Sequence, residues 1–379
     1  MDYDVIIAGA GPVGLCLGLR LAREGKKVLI LEKNQTTHEH SRAPGIWCRT
    51  QEILANLGVM ERFEQQAITM DALRMYDVDN QKVILKISLD EVRDKTDYPR
   101  IMVIPQSKTE KILAEAVSQT EGADLKFSCE LTGFTQDETS VTVQWSEGED
   151  LKNATAKYLI GCDGAHSTVR KLLGFHLEGE TYGMEIALAD IQLKDESTGP
   201  LISTKGVMVL AIKIDTDLWR MILPHAKKGE MLLPKRITKA ASQLFPGKSY
   251  EDVWSSEFRL HNRISSDFVQ GRVALAGDAA HLNSPVGGQG MNAGIQDTEV
   301  LGNILIRALD EDDPSRLEVY RHYRKEALKR GVNRFTDILT NVLFVWNGRI
   351  FKLVIRVWNT ILRIPFVRRR FVKRLAMLD

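Results

Sequence analysis

Gly9-Ala10-Gly11-Pro12-Val13-Gly14 sets three glycines at the spacing Gly-x-Gly-x-x-Gly, directly after the apolar run Val5-Ile6-Ile7-Ala8. Each glycine answers a separate physical demand. Gly9 permits a tight turn out of a strand, Gly11 lets an anionic group reach the backbone, and Gly14 lets helix and strand pack closely. A diphosphate at this point meets free N–H groups at the positive end of a helix. Glu32 ends a second apolar run, Val28-Leu29-Ile30-Leu31, and falls about 20 residues after the glycines, where a carboxylate accepts from both ribose hydroxyls. The same carboxylate disfavours a 2′-phosphate. The chemistry expected is tight binding of a dinucleotide of the FAD or NAD type rather than NADP.

Two further loops carry chemistry-bearing residues. Gly161-Cys162-Asp163-Gly164-Ala165-His166-Ser167-Thr168-Val169-Arg170 lies between a strand and a helix. Asp163 and Ser167 suit a helix cap, and Gly164 tolerates a positive φ. Asp278 follows the strand-like Ala274-Leu275-Ala276-Gly277. It is placed to accept from a ribitol or ribose hydroxyl, or else to stand as a solvated loop acid. Pro285-Val286-Gly287-Gly288-Gln289-Gly290-Met291-Asn292 then packs three glycines into four positions ahead of a helix. Backbone N–H groups exposed there can hold a phosphate or an electron-rich ring edge.

The elements that position these loops follow from hydrophobic periodicity. Residues 1–32 read as strand, helix, strand, a complete βαβ unit. Arg49 to Leu57 and Lys108 to Thr120 read as helices, Leu125 to Val143 as a β-meander, and Tyr158 to Gly161 as a buried strand. Leu73–Tyr76 with Val83–Leu85 alternates like a hairpin, as does Val207–Ile214 with Leu218–Leu223. Trp219, Met221 and Leu223 share one face, which either roofs a flat ligand or packs on a core of its own. Long helices are expected over 294–308 and 315–330. The fold class expected is α/β, α+β overall: a Rossmann-like nucleotide-binding domain (the FAD-binding domain, on the resemblance given below) from residues 1–70, 100–178 and 265–330, with an inserted, mostly antiparallel β-sheet domain from 71–99 and 179–264 that the same resemblance makes the substrate domain. Residues 331–379 form C-terminal basic amphipathic helices.

Composition sets the wider bounds. A net charge of +1 over 379 residues gives no global pull toward nucleic acid. The chain enters its first strand at once, leaving no room for a signal peptide, and no apolar run reaches the length of a membrane span. The four cysteines, Cys16, Cys48, Cys129 and Cys162, are scattered, as expected of reduced thiols in a cytoplasmic protein. His38 and His40 are the only close histidine pair, in a polar segment, and no metal site is expected.

Taken together, the three glycine-bearing loops resemble those of the single-component FAD-dependent aromatic hydroxylases, the p-hydroxybenzoate hydroxylase-like family, in its polyketide and polycyclic phenol branch. The matching residues are Gly9 to Gly14 with Glu32; Asp163-Gly164-x-x-Ser167-x-Val169-Arg170; and Gly277-Asp278 with Pro285 and Gly287 to Asn292. Arg42-Ala43-Pro44-Gly45 and Pro105-Gln106 also look like flavin-contacting positions of that family. The resemblance covers residues 1 to about 330. It implies a non-covalent FAD, with Gly9, Gly11, Gly14 and Glu32 on the ADP half and Asp278 on the ribityl-pyrophosphate region. It implies Gly287, Gly288, Gly290, Met291 and Asn292 at the pyrimidine edge of the ring, Pro285 beside the ring, and Asp163 and Arg170 at the pyrophosphate groove, where they help position NADPH. Arg42 is expected to contact flavin or NADPH. NADPH or NADH serves as a transient co-substrate with O2, and hydroxylation of a small aromatic or hydrophobic substrate proceeds through a flavin hydroperoxide. No catalytic base follows from the sequence; Tyr182, Arg220, His225 and Asn283 are candidates by neighbourhood. Competing readings keep the fold but make the protein an epoxidase, a halogenase or a prenyl reductase. Another treats it as a non-catalytic flavin-binding interaction protein.

The tail departs from this pattern. Between Asp337 and Asp379 there is no acidic residue, while Arg349, Lys352, Arg356, Arg363, Arg368, Arg369, Arg370, Lys373 and Arg374 alternate with large apolar side chains. Long relatives carry a thioredoxin-like C-terminal domain, for which this chain is too short. Either the helices pack back on the FAD domain with a solvated basic face, or they make peripheral membrane contact on an anionic inner face.

Overall fold

The computed structural model describes residues 1–38, 43–205, 208–224, 232–343 and 348–379. Its first sheet runs, edge to edge, Val269–Gln270, Val273–Leu275, Asp150–Gly161, Tyr3–Ala8, Val28–Leu31, Ala123–Lys126. From Val273–Leu275 to Ala123–Lys126 every neighbouring pair is parallel. Val5 to Ile7 and Val28 to Ile30 are wholly buried, which is why they read as unbroken apolar runs rather than alternation. The helices Pro12–Arg23, Gln106–Ser118 and Gly290–Asp310 pack together beside it.

One expectation fails here. Ala123–Lys126 is not part of a meander; it extends the parallel sheet beside Val28–Leu31. The antiparallel meander starts at Cys129–Gln136 and passes through Val141–Glu147 into Asp150–Gly161. An edge strand of a parallel sheet is half-buried, so its pattern does not differ from that of a meander strand.

The second sheet is mostly antiparallel. Its order is His281–Leu282, Glu251–Ser265, Leu177–Gln192, Leu218–Pro224, Val209–Lys213, Leu201–Ser203, Ala72–Asp77, Lys82–Ser88. The expected hairpin joins Val209–Lys213 to Leu218–Pro224. His281–Leu282 comes from the stretch read as nucleotide domain, yet it pairs with Arg263 and Ile264. The Gly277 loop is thus tied directly to the second sheet.

The apolar face of Trp219, Met221 and Leu223 does not roof a ligand. The helix Leu233–Leu244 covers it with Ile237, Ala240, Ala241 and Leu244. Trp219 meets Phe245 edge-on, with ring centroids 5.0 Å apart. The opposite face presents Ile186, Leu188, Ile222 and Leu260.

The tail forms three helices, Val332–Leu343, Gly348–Ile361 and Pro365–Leu375. They pack back on the protein, but not only on the nucleotide domain. Phe351 and Ile355 join Ile202, Met75 and Ile84 of the second sheet, and Lys352 reaches buried Asp77 at 3.5 Å. Val372, Leu375 and Ala376 enter the main core, and Arg368 pairs with Glu91 at 2.8 Å. Among the described residues, no helix is long and apolar enough to cross a membrane.

The Trp219 contact gives a stability prediction. Its indole N–H has no hydrogen-bond partner. Trp219→Ala should therefore cost about 3–5 kcal/mol, whereas Trp219→Phe, which keeps an aromatic body and removes the idle donor, should cost under about 1.5 kcal/mol. Urea unfolding followed by circular dichroism separates the two; equal costs would contradict the packing.

Candidate functional site

The three loops converge at the C-terminal ends of the parallel strands. Gly9 follows Tyr3–Ala8, Asp163 follows Asp150–Gly161, and Gly277 follows Val273–Leu275. In open α/β sheets this edge forms the ligand crevice. Backbone bonds lock the loops in sequence: Gly9 N–H to Leu31 C=O at 2.7 Å, Cys162 N–H to Ala8 C=O at 2.8 Å, and Ala276 N–H to Gly161 C=O at 2.9 Å.

The glycines of the first loop divide by cause. A Cβ on Gly14 would lie 2.0 Å from the Gly9 carbonyl oxygen, and Gly9, at φ +100°, would meet the Cys162 oxygen at 2.5 Å. These two glycines are demanded by the protein's own packing. Gly11 is not: it has an ordinary φ of −71°, and a Cβ there would meet nothing within 4 Å. The open space lies at the N-cap of the helix Pro12–Arg23, whose first N–H groups lack intrahelical acceptors. A Gly290 Cβ would likewise meet nothing within 4 Å. Both open cradles suit FAD, with its diphosphate at one and a ring edge at the other.

Glu32 is buried. It accepts from Ala10 N–H at 2.8 Å and from the backbone and side-chain nitrogens of Asn34 at 3.0 and 2.6 Å. Its carboxylate is thereby fixed at the end of its strand, as ribose recognition requires. Gln106 starts its helix and donates to Glu110 at 2.9 Å. Glu110 is itself fully buried and accepts from the His38 backbone at 2.9 Å, holding the segment that leads toward Arg42. Arg42 and His225 lie outside the described residues, as does His40.

Asp163 acts as a cap. It accepts from the Ser167 hydroxyl and from the backbone N–H groups of Thr168 and Val169, at 2.7 and 3.1 Å. Arg170 donates to Ala165 C=O at 2.7 Å and Ala279 C=O at 2.9 Å, which joins the second loop to the third. Asp278 is exposed on the 3-10 turn Gly277–Ala279.

Beneath Asp278 lies a network that sequence reasoning missed. Buried Asp297 accepts from Gly277 N–H at 2.8 Å, pairs with His281 Nε2 at 2.8 Å, and pairs with Arg324. Burial works against its charge, but Arg324, His281 and the Gly277 N–H outweigh it and bring the carboxyl down to about 2. Burial also opposes the His281 cation, yet Asp297 holds the imidazole above its ordinary value. The sequence signal was available: an acid on the apolar face of a helix demands a partner.

The glycine-rich loop is braced from both sides. Gly287 and Gly288 take φ of +82° and +63°. The Trp47 indole donates to Gly287 C=O at 2.7 Å. The Asn292 side chain braces the loop: its oxygen accepts from Trp47 N–H at 2.9 Å, and its nitrogen donates to the carbonyls of Gly45 and Gly288 at 2.8 and 2.7 Å. Gly288 N–H donates to Pro285 C=O at 3.0 Å. The N–H groups facing outward are those of the first turn, from Gly290 and Met291 onward.

The candidate bases find other duties. Tyr182 donates to Asp337 at 2.6 Å, and burial together with that bond pushes its hydroxyl up to about 12. Arg220 is buried in a two-point ion pair with Asp190, at 2.8 and 2.7 Å, over the Trp254 ring. Asn283 bridges His281 Nδ1 at 3.0 Å to Asn333 at 2.9 Å.

Comparison with known proteins agrees with this geometry. A family model described as FAD binding domain matches residues 2–335. A flavin-dependent monooxygenase of Mycobacteroides abscessus is 32% identical over 88% of this chain and 74% of its own length. A rifampicin monooxygenase of Streptomyces venezuelae is 33% identical over 81% of this chain and 65% of its own. The structure of an anhydrotetracycline hydroxylase from Streptomyces rimosus superposes with a TM-score of 0.83 at 28% identity, covering 100% of this chain and 76% of that one. The chain thus spans about two thirds to three quarters of the length of these proteins.

Two predictions follow from the loops. Gly11→Ala should leave apoprotein stability unchanged yet weaken FAD binding at least about tenfold, by filling the diphosphate approach, while Gly14→Ala should fail to fold; fluorescence titration and thermal melts distinguish them. The Asp297–His281 pair stabilises fully above the ordinary Asp value of 3.8 and below the ordinary His value of 6.5. That contribution should be lost as pH falls through about 2 and as it rises through the raised imidazole value. Asp297→Asn should remove both limbs from a stability profile against pH.

Proposed function

The chain belongs to the family of flavoproteins built on this FAD-binding domain, and from that premise we propose an aromatic-ring monooxygenase that consumes NADPH or NADH and O2. When FAD is bound, the chemistry it supplies is acceptance of two electrons from the nicotinamide and delivery of one O2 oxygen atom to an electron-rich ring carbon, the other leaving as water. Gly11 and the helix behind it would take the diphosphate, Glu32 the ribose, and Asp278 the ribityl region, with Arg170 holding the second loop against the third. Arg42 would meet flavin or nicotinamide, and Pro285 the ring. The N–H groups of Gly290 and Met291, with the positive end of their helix, would stabilise negative charge at the ring edge. The apolar face of Ile186, Leu188, Ile222 and Leu260, on the sheet that His281–Leu282 ties to the Gly277 loop, would help keep water from the reacting oxygen.

The observation that carries this reading is the open cradle at Gly11 and Gly290, glycines that the chain's own packing does not require. The substrate class we infer is an electron-rich phenol with an apolar body, in keeping with relatives named for rifampicin and anhydrotetracycline. Among the described residues, Tyr182, Arg220 and Asn283 are held by Asp337, Asp190 and His281, and orientation of the ring against the apolar face would contribute to substrate activation.

Purified protein should be yellow and should oxidise NAD(P)H with matching O2 uptake when a polycyclic phenol is added, giving a product 16 mass units heavier. Protein that takes up no FAD, or that turns over NAD(P)H without O2, would contradict the proposal.

A further inference from the structure

The tail helices leave a surface that the proposed reaction does not use. The helix Gly348–Ile361 is apolar on two sides. Its inner side, Phe351 and Ile355, is buried against Ile202 and Leu210 of the second sheet. Its outer side carries Leu353, Val357 and Ile361, spaced four residues apart and exposed; Ile364 and Phe366 continue the stripe into the next helix. Leu353 and Phe366 are 60% and 74% exposed. The packed fold therefore does not account for this stripe.

Charge decides what would cover it. No acidic residue occurs between Asp337 and Asp379, a stretch with nine Lys and Arg. Several of these cations are engaged: Lys352 with Asp77, Arg368 with Glu91, Arg369 with Asp94, and Lys373 and Arg374 with Asp379. Arg356, Arg363 and Arg370 are exposed; Arg356 and Arg370 lie on the same two helices as the stripe, and Arg363 lies in the turn that joins them. An apolar stripe edged by cations, on two helices that carry no acid, matches the boundary of an anionic bilayer, where side chains sink below the headgroups and guanidinium groups stay at phosphate level. We propose that the outer face of the helix Gly348–Ile361, continued through Phe366, lies on an anionic lipid surface.

The location gives the contact a use. One helix thickness, about 10 Å, separates this face from the sheet whose apolar side walls the proposed substrate site. A lipid surface on this face would raise the concentration of an apolar aromatic compound close to the protein.

Vesicle flotation of the full chain tests the proposal without depending on turnover. Vesicles of phosphatidylcholine with phosphatidylglycerol should retain the protein, with on the order of a hundredfold preference over phosphatidylcholine alone from three cations, and the preference should shrink in high salt. Leu353→Gln with Val357→Gln should abolish retention while leaving FAD content and melting temperature unchanged, because both side chains are exposed. Arg356→Gln with Arg363→Gln should lose the preference for anionic lipid. No retention on anionic vesicles, or retention indifferent to the stripe, would overturn the proposal. So would a dimer in solution that Leu353→Gln with Val357→Gln splits, since the stripe would then belong to a second copy.

Discussion

The site depends on one close contact, the helix Pro12–Arg23 pressed against the turn it grows from. Gly14 stands so near the Gly9 carbonyl that no side chain fits between them. Gly18 likewise has no room for a Cβ beside Ile30, which brings the helix flush to the sheet. This proximity aims the unpaired N–H groups of the first turn at the space over Gly11. If the helix stood off by the radius of a methyl group, both its dipole and its donors would address a different point.

The rest of the molecule can be understood as bracing for that edge. Arg170 spans from its own loop to Ala279, and Asp297 holds Gly277 from beneath with two cations to balance its charge. A buried carboxylate would be costly alone; here its partners make it a fixed support. From His281 the chain of contacts runs through Asn283 and Asn333 to Asn262, at 3.0, 2.9 and 2.5 Å. Cofactor loop, tail and second sheet thus share one polar seam, and a shift in one is felt by the others.

Much of this was legible in the sequence for a physical reason. Gly9, Gly11, Gly14 and Glu32 answer local demands of turn, approach and strand end, and such demands appear in residue type and spacing. The hairpin ending at Pro224 was legible in the same way, through alternation. Alternation could not say what covers the apolar face of Trp219, because that depends on the helix Leu233–Leu244 arriving from later in the chain. The edge strand Ala123–Lys126 was misread because parallel pairing is a long-range fact. The bracing of Gly45, Trp47 and Gly288 by the Asn292 side-chain amide was not legible, because only the fold brings those residues within reach. The tail helices were legible as amphipathic, but not their two-sided apolar character in place.

The central claim is that the crevice at the strand ends holds one FAD, extended from Gly11 to the glycine-rich loop. A crystal structure of the protein grown with FAD tests it most directly. The account predicts the diphosphate on the backbone at Gly11 and the pyrimidine edge of the ring at the N–H groups of Gly290 and Met291. Density for the dinucleotide elsewhere, or side chains filling the crevice from Gly11 to Gly290, would contradict it.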